Sequence, residues 1–190
     1  DRTRRRKLRS LKESLQGLTR SFSVRRQRIT CELRKSTKEK MRALVQRVTH
    51  SNVVIEGEKV AEIGKGLLVF VGVATDDTEE DVDYLVKKVS QLRIFDDEAG
   101  VMNLSIQDIE GDVMLVSQFT LHAMTKKGNR PSWIKAAPES ISKPLYEKFV
   151  RKVEELLGKS VATGEFGADM KIELTNDGPV TIWIDSKNRE

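Results

Sequence analysis

The chain has 190 residues, one cysteine, and 34 lysines and arginines against 29 aspartates and glutamates, a net charge of +5. That length suits one ordinary domain with an appendage, and a lone cysteine, Cys31, excludes a disulfide framework and a cysteine-rich zinc site. No apolar run approaches the ~18–20 residues that span a bilayer, so no membrane segment is expected.

The charge is unevenly placed. Residues 1–40 carry 15 basic and 4 acidic side chains, a local charge of +11, whereas residues 41–190 carry 19 and 25, a local charge of −6. The isoelectric point near 9.3 therefore describes the tail, and the remainder is mildly acidic. Arg-rich blocks with scattered Ser and Thr fit three readings of residues 1–40. They suit an organellar transit peptide, a disordered basic arm, or an upstream extension of a product that starts at Met41. Residues 41–190 form the expected folded domain. Cys31, in a polar and basic stretch, reads as an unpaired thiol.

From Met41 onward the periodicities are informative. Residues 42–48 alternate as a first strand, and 53–55 with 60–63 read as a hairpin broken at Glu56-Gly57-Glu58-Lys59. Gly64 and Gly66 lead into a long apolar strand at 67–74. The Gly-Lys-Gly there precedes a strand and opens no helix, so it is a turn and not a phosphate loop. Residues 78–94 repeat Val82, Leu85, Val86, Val89 and Leu92 at helical spacing, with Thr78 as cap and Glu79, Glu80 and Asp81 at the positive end of the dipole. Residues 112–121 read as a strand. A second helix spans about 142–157, with Leu145, Phe149, Val150, Val153 and Leu156 on its apolar face and Gly158 as its stop. Two strands, 170–174 and 180–185, follow, joined by an Asn-Asp-Gly-Pro turn. Strand pairs around two helices imply a mixed sheet in an α/β architecture.

The side chains for chemistry are sparse. The two histidines, His50 and His122, belong to no grouping with metal-ligand spacing, and no HExxH, Gly-x-Ser-x-Gly or dinucleotide fingerprint occurs. Strand alternation would put Gln118, Thr120 and His122 on one face and Ser117, Phe119 and Leu121 on the other. Residues two apart on a strand lie ~6.5–7 Å apart, against the ~2.6–3.2 Å a nucleophile–base pair needs. Thr120 with His122 is thus a poor pair. At Gly178-Pro179, proline makes a cis bond accessible, and glycine admits close approach of a ligand or backbone.

Ser117-Gln118-Phe119-Thr120 and Gly178-Pro179-Val180-Thr181 resemble the SQxT and GPVT signatures of the D-aminoacyl-tRNA deacylases. The resemblance runs from about Met41 to Asp185. It implies a three-layer α/β/β mixed-sheet fold, a homodimer, and hydrolysis of the ester in D-aminoacyl-tRNA, with glycine on tRNA as a further substrate. It implies that Gly178-Pro179, with Val180 and Thr181 beside it, enters the partner subunit's pocket as a chirality filter, and that Arg47 braces it. Ser117, Gln118, Phe119 and Thr120 would form the pocket floor, with the neighbouring ribose 2′-hydroxyl of the substrate assisting. Phe166 and Met170 would shape the terminal adenine pocket, in competition with plain core packing. No metal and no organic cofactor is expected. The partner is the acceptor end of an aminoacyl-tRNA, with Lys126, Lys127 and Arg130 as candidate contacts. The compartment is the cytoplasm, or a plastid or mitochondrion should residues 1–40 be a transit peptide. A non-catalytic RNA- or DNA-binding protein working through its basic arm is the reading from another class.

Overall fold

A 14-residue strand, β1 (Arg42–Ile55), forms the spine of the sheet. The computed structural model describes Lys40–Arg189, so the readings of Cys31 and, Lys40 aside, of the basic extension concern residues outside that range. After β1 come β2 (Glu58–Ile63), β3 (Gly66–Gly72), α1 (Glu79–Gln91), β4 (Phe95–Asp96), β5 (Met102–Leu104) and β6 (Asp112–Ser117). A 3-10 turn (Phe119–His122), α2 (Glu139–Leu157), β7 (Ala162–Thr163) and β8 (Met170–Asp185) complete the order. The mixed α/β architecture expected from the strand and helix pattern is the one observed.

The sheet runs β2-β1-β3-β6-β7, with β8 on the free edge of β1. The β1–β2, β1–β3 and β1–β8 pairs are antiparallel, and β3–β6 and β6–β7 are parallel. β2 also lies against β6 and β7, so the sheet curls until it is nearly closed. Its alternation divides the core in two. Leu67, Val69, Val71, Val113 and Leu115 face the helices, while Leu68, Met114 and Val116 fill the inside of the curl.

Both long strands change allegiance part-way. In β1, Ala43 and Val45 pack on the helix side, but Val48 and Val53 pack inside the curl. Val48 and His50 oppose Asn176 and Thr175, so Thr49 is an extra residue, a bulge that reverses the faces. In β8, Gln46 opposes Thr181 and Val48 opposes Asn176, leaving three extra residues between. Ile172 and Leu174 therefore pack inside the curl, and Ile182 and Ile184 against the helices. The expected pair of strands joined by a turn is thus one strand. Both halves pair with β1, and Asp177–Pro179 bulges out between them.

α1 buries Val82, Leu85, Val86 and Val89 as its spacing predicts, each contributing about 1.5–3 kcal/mol. The Asp81 carboxylate accepts the Thr78 N–H at 2.9 Å and the Thr78 hydroxyl at 3.2 Å, closing the first turn. α2 starts at Glu139, earlier than expected, and carries Pro144 on its exposed side, where the missing hydrogen bond faces water. Its buried face is Tyr146, Phe149 and Val153, whereas Leu156, expected among them, is exposed. The ion pairs Lys148–Glu79 and Lys152–Asp83 tie the helices together. Gly158, in the left-handed region at φ +66°, ends α2 as expected.

Candidate active site

β3 and β6 run parallel and end side by side, Val71 opposite Ser117. The carboxyl ends of adjacent parallel strands are where α/β sheets open crevices, and a cavity of about 290 Å³ lies there. Ser117, Gln118 and Phe119 line it from β6 and the turn beyond, Val71 from β3 and Val73 just after it, Tyr146 from α2, Phe166 from the approach to β8, and Met170 and Ile172 from β8 itself.

The strand stops at Ser117, four residues short of the strand expected over 112–121. The Gln118 N–H still donates to Val71 O at 2.8 Å, after which Leu121 N–H bonds Gln118 O and Ala123 N–H bonds Thr120 O. A 3-10 turn spreads successive side chains by about 120°, so Gln118, Thr120 and His122 do not share a strand face. His122 is fully buried. The Gln118 amide donates to the Thr120 hydroxyl at 2.5 Å; Gln118 lines the cavity, whereas Thr120 does not.

Gly72 permits this turn. A Cβ there would meet the backbone Gln118 O at 2.9 Å, closer than a Cβ can sit, and His122 Nε2 at a tight 3.1 Å. Across the cavity, the Tyr146 hydroxyl donates to Leu115 O at 2.7 Å. Burial pushes its ionisation well above the ordinary tyrosine range, so it is no candidate base. Phe166 stacks at a tilt on Tyr146, ring centroids 5.9 Å apart.

The second motif is elsewhere in the chain. Gly178–Pro179 is a cis peptide, with Gly178 at φ +127°. The bulge is held from inside. Asn176 Oδ1 accepts the Val180 N–H at 2.8 Å. Arg47, only 5 % exposed, donates from Nε to Asp177 O at 3.1 Å and from Nη1 to Ile94 O at 2.5 Å. Its guanidinium also pairs with Asp177 Oδ2 at 3.2 Å and Asp96 Oδ1 at 3.6 Å. Arg47 thus contacts the bulge at Asp177. Its partners Ile94, Asp96 and Asp177 carry no sequence signal.

None of residues 176–181 lines the cavity. Thr181 and Gln46 share one row, and Ser117, Val71 and Ala43 another. Along the sheet, the two motifs lie three strand spacings apart, about 14 Å, and about 10 Å further along the strands. Between them a row of half-buried apolar side chains crosses three strands, Phe70 opposite Leu44 and Leu44 opposite Trp183. Trp183 is 49 % exposed, with Arg42 over its ring at 5.3 Å.

Phe166 and Met170 line the same cavity as Ser117 and Gln118, which the sequence did not require. Tyr146, Val73, Ala137 and Ser142 join them and were not anticipated from sequence, where they read as ordinary helix, strand and loop positions. Among the described residues, no three His, Cys, Asp or Glu side chains converge as a metal site would need. Nor is any helix among them long and apolar enough to cross a membrane.

Residues 44–185 match the family described as "D-Tyr-tRNA(Tyr) deacylase". The chain belongs to the D-aminoacyl-tRNA deacylase family. As a member of it the chain is a hydrolase of the deacylase class. A Bacteroides thetaiotaomicron D-aminoacyl-tRNA deacylase is 59% identical over 150 residues, 79% of this chain and all of the relative. Two solved structures are similar. One, described as "c-Myc DNA Unwinding Element Binding Protein", is 36% identical, with a TM-score of 0.71 over 75% of this chain and 97% of its own. The other, from a structural analysis of a probable eukaryotic D-amino acid tRNA deacylase, has a TM-score of 0.68 over 77% and 99% at 18% identity, a likeness of fold.

Proposed function

We propose that the chain hydrolyses the ester linking a D-amino acid to the terminal adenosine of tRNA, and that it does so as a homodimer. Free D-amino acid and tRNA are the products, and glycine on tRNA is a further substrate. The observation that carries the dimer is the distance between the motifs: one chain keeps the Gly178-Pro179 bulge well away from its own cavity. A two-fold contact presents the same patch from both subunits. Through the Phe70–Leu44–Trp183 row, it would bring each bulge towards the other subunit's Gln118 turn. The curled sheet then supplies the two β layers of a three-layer α/β/β arrangement.

In this reading the carbonyls beside Gly178 and Pro179 meet the substrate's α-amino group and occupy the space an L side chain would need. Such a filter suits an enzyme that accepts many D-amino acids. It reads only the amino group, the Cα–H direction and the ester, with no side-chain entropy to lose. Exclusion by steric conflict discriminates more sharply than small differences in pocket fit. The braced position of the bulge on Arg47 supports the role, since a wedge must not yield.

The chemistry asks little of ionisable side chains. Backbone N–H groups at Phe119 and Thr120, with the hydroxyls of Ser117 and Thr120 and the amide of Gln118, would hold the ester carbonyl and the developing oxyanion. The neighbouring ribose hydroxyl of the substrate would help activate water. Phe166 and Met170 would receive the adenine. Residues 41–190 act as the catalytic unit, residues 1–40 as an extension, and the site of action is wherever translation supplies the substrate, the cytoplasm first.

Purified protein should discharge D-Tyr-tRNA and spare L-Tyr-tRNA; equal rates on the two enantiomers would remove the chirality filter. Nucleic-acid binding through the basic arm is a second property to separate from turnover. Deleting residues 1–40 separates the two. An enzyme keeps its turnover, whereas an arm-driven binder loses most of its affinity and salt dependence.

A further inference from the structure

The segment after the Gln118 turn has a chemistry that the cavity alone does not use. Residues 118–138 contain four basic side chains, Lys126, Lys127, Arg130 and Lys135, and no acidic one, although residues 41–190 as a whole carry −6. Apolar surface is exposed in the same stretch: Phe119 at 56 %, Trp133 at 38 % and Ile134 at 81 %. The Phe119 and Trp133 rings meet edge to face, centroids 5.4 Å apart at 79°. Phe119 also lines the cavity, so the aromatic surface continues outward from the cavity mouth.

The platform is tied down at both ends. Met124 and Ser132 exchange backbone hydrogen bonds of 2.9 and 3.0 Å, closing residues 125–131 into a hairpin. Ala137 N–H donates to Val73 O at 2.9 Å, and Ala74 bridges Ala136, fixing the return to the β3 end. Exposed aromatic faces beside cations, held on a fixed backbone, are what unpaired nucleotides bind. Bases stack on the rings whatever their identity, and phosphates take the charges. A second copy of the chain is a poorer occupant, because a symmetric contact through this patch would set cation against cation.

We propose that Trp133, with Phe119 behind it, stacks the unpaired base preceding the terminal adenosine, and that Lys126, Lys127 and Arg130 bind the phosphates of that single strand. This rests on the deacylase reading and adds residues to it: the cavity takes the terminal adenosine, and this ledge takes the nucleotides leading to it. The ledge is indifferent to sequence, as a surface that must accept every tRNA should be.

The test compares two substrates of the full chain, D-Tyr-tRNA and the D-tyrosyl ester of adenosine alone, which reaches only the cavity. Trp133→Ala should raise KM for the tRNA about tenfold with kcat held, while turnover of the adenosine ester stays within about twofold of wild type. Lys126→Gln, Lys127→Gln and Arg130→Gln together should flatten the salt dependence of kcat/KM on tRNA by about two in log–log slope. Parallel losses on both substrates, or no loss on the tRNA, overturn the proposal. So does dissociation of a dimer by Trp133→Ala in sedimentation, which would assign the surface to a second copy. A wild-type protein that turns over neither ester defeats the deacylase reading instead. Binding then decides separately: in a Trp183→Phe background, a tetranucleotide ending in CCA should quench the Trp133 fluorescence saturably, and no quenching overturns the ledge.

Discussion

Arg47 has one exposed option, water, and does not take it. Its fork is spent on two backbone carbonyls and two carboxylates around the bulge. Arg47→Met leaves Asp177 O and Ile94 O without that donor, and should cost about 2–4 kcal/mol in denaturant unfolding. Arg47→Lys keeps the charge but not the planar fork, so it should preserve most of the stability while enantioselectivity between D- and L-Tyr-tRNA falls. Gly178→Ala is a sharper probe. Its φ of +127° disfavours an L side chain, and the new Cβ would stand 2.7 Å from Val180 Cγ2 and 3.2 Å from Arg47 Nη2. We expect D-Tyr-tRNA turnover to collapse while the fold survives with a loss of about 1–3 kcal/mol, the two measured side by side. Thr120 is an acceptor from Gln118. Thr120→Val should therefore slow turnover by about 10–10²-fold without abolishing it, and mass spectrometry should find no aminoacyl-enzyme in the wild type.

At the scale of elements, the approach to α1 holds a buried acidic pair. Asp77 accepts the Ala74 N–H at 2.6 Å, and Asp81 accepts the Ser186 hydroxyl at 2.7 Å, with Lys187 close to both carboxylates at 3.4 and 3.3 Å. Burial pushes the Asp77 carboxyl up to about 6, Asp81 adds to the effect, and the Ala74 N–H and Lys187 oppose it. Burial also works against Asp81, but the bonds from Ser186, Thr78 and Lys187 outweigh it and hold that carboxyl low. A carboxyl raised in the fold favours its protonated form. The Asp77 contribution is therefore fully present below about pH 4 and is lost as pH rises to about 6. Asp77→Asn should flatten that decline, a relative gain of about 1–3 kcal/mol near neutrality, read from urea midpoints between pH 4 and 7.

The elements also mark where sequence reasoning reached its limit. The β3 and β6 strands and the α1 face were legible because their apolar period is unbroken. The end of β6 was not. Nothing in Gln118-Phe119-Thr120-Leu121-His122 signals a turn, and what enforces it is distant: Gly72 leaves room for Gln118 O and the His122 ring. Asn-Asp-Gly-Pro reads as a hairpin turn because that is its usual use. Here both flanks pair with β1 and Arg47 holds the middle, information that sits 130 residues away. β4, β5 and β7, of two or three residues each, are too short to have a period. The candidate site residues Ser117, Gln118, Gly178 and Arg47 were singled out only through the family resemblance, since none has a chemistry that announces itself.

For the whole molecule, the central expectation is that a single subunit holds two halves of different sites. Leu44→Asp on the apolar row should convert the protein to monomers in sedimentation and abolish turnover while circular dichroism stays unchanged. Mixing Gln118→Ala with Gly178→Ala subunits, each inactive alone, should restore about a quarter of the sites, those that join an intact floor to an intact bulge. Independent sites would restore none.

The crossing of β1 and β8 from the helix layer into the curl has a further consequence. Because the same two strands floor one core and wall the other, neither core can melt and leave its neighbour standing. Unfolding of residues 40–189 should accordingly be a single cooperative event. Native-state hydrogen exchange should find the amides of Ala43, Val45 and Val53 opening together, with no intermediate in which only half the spine has let go.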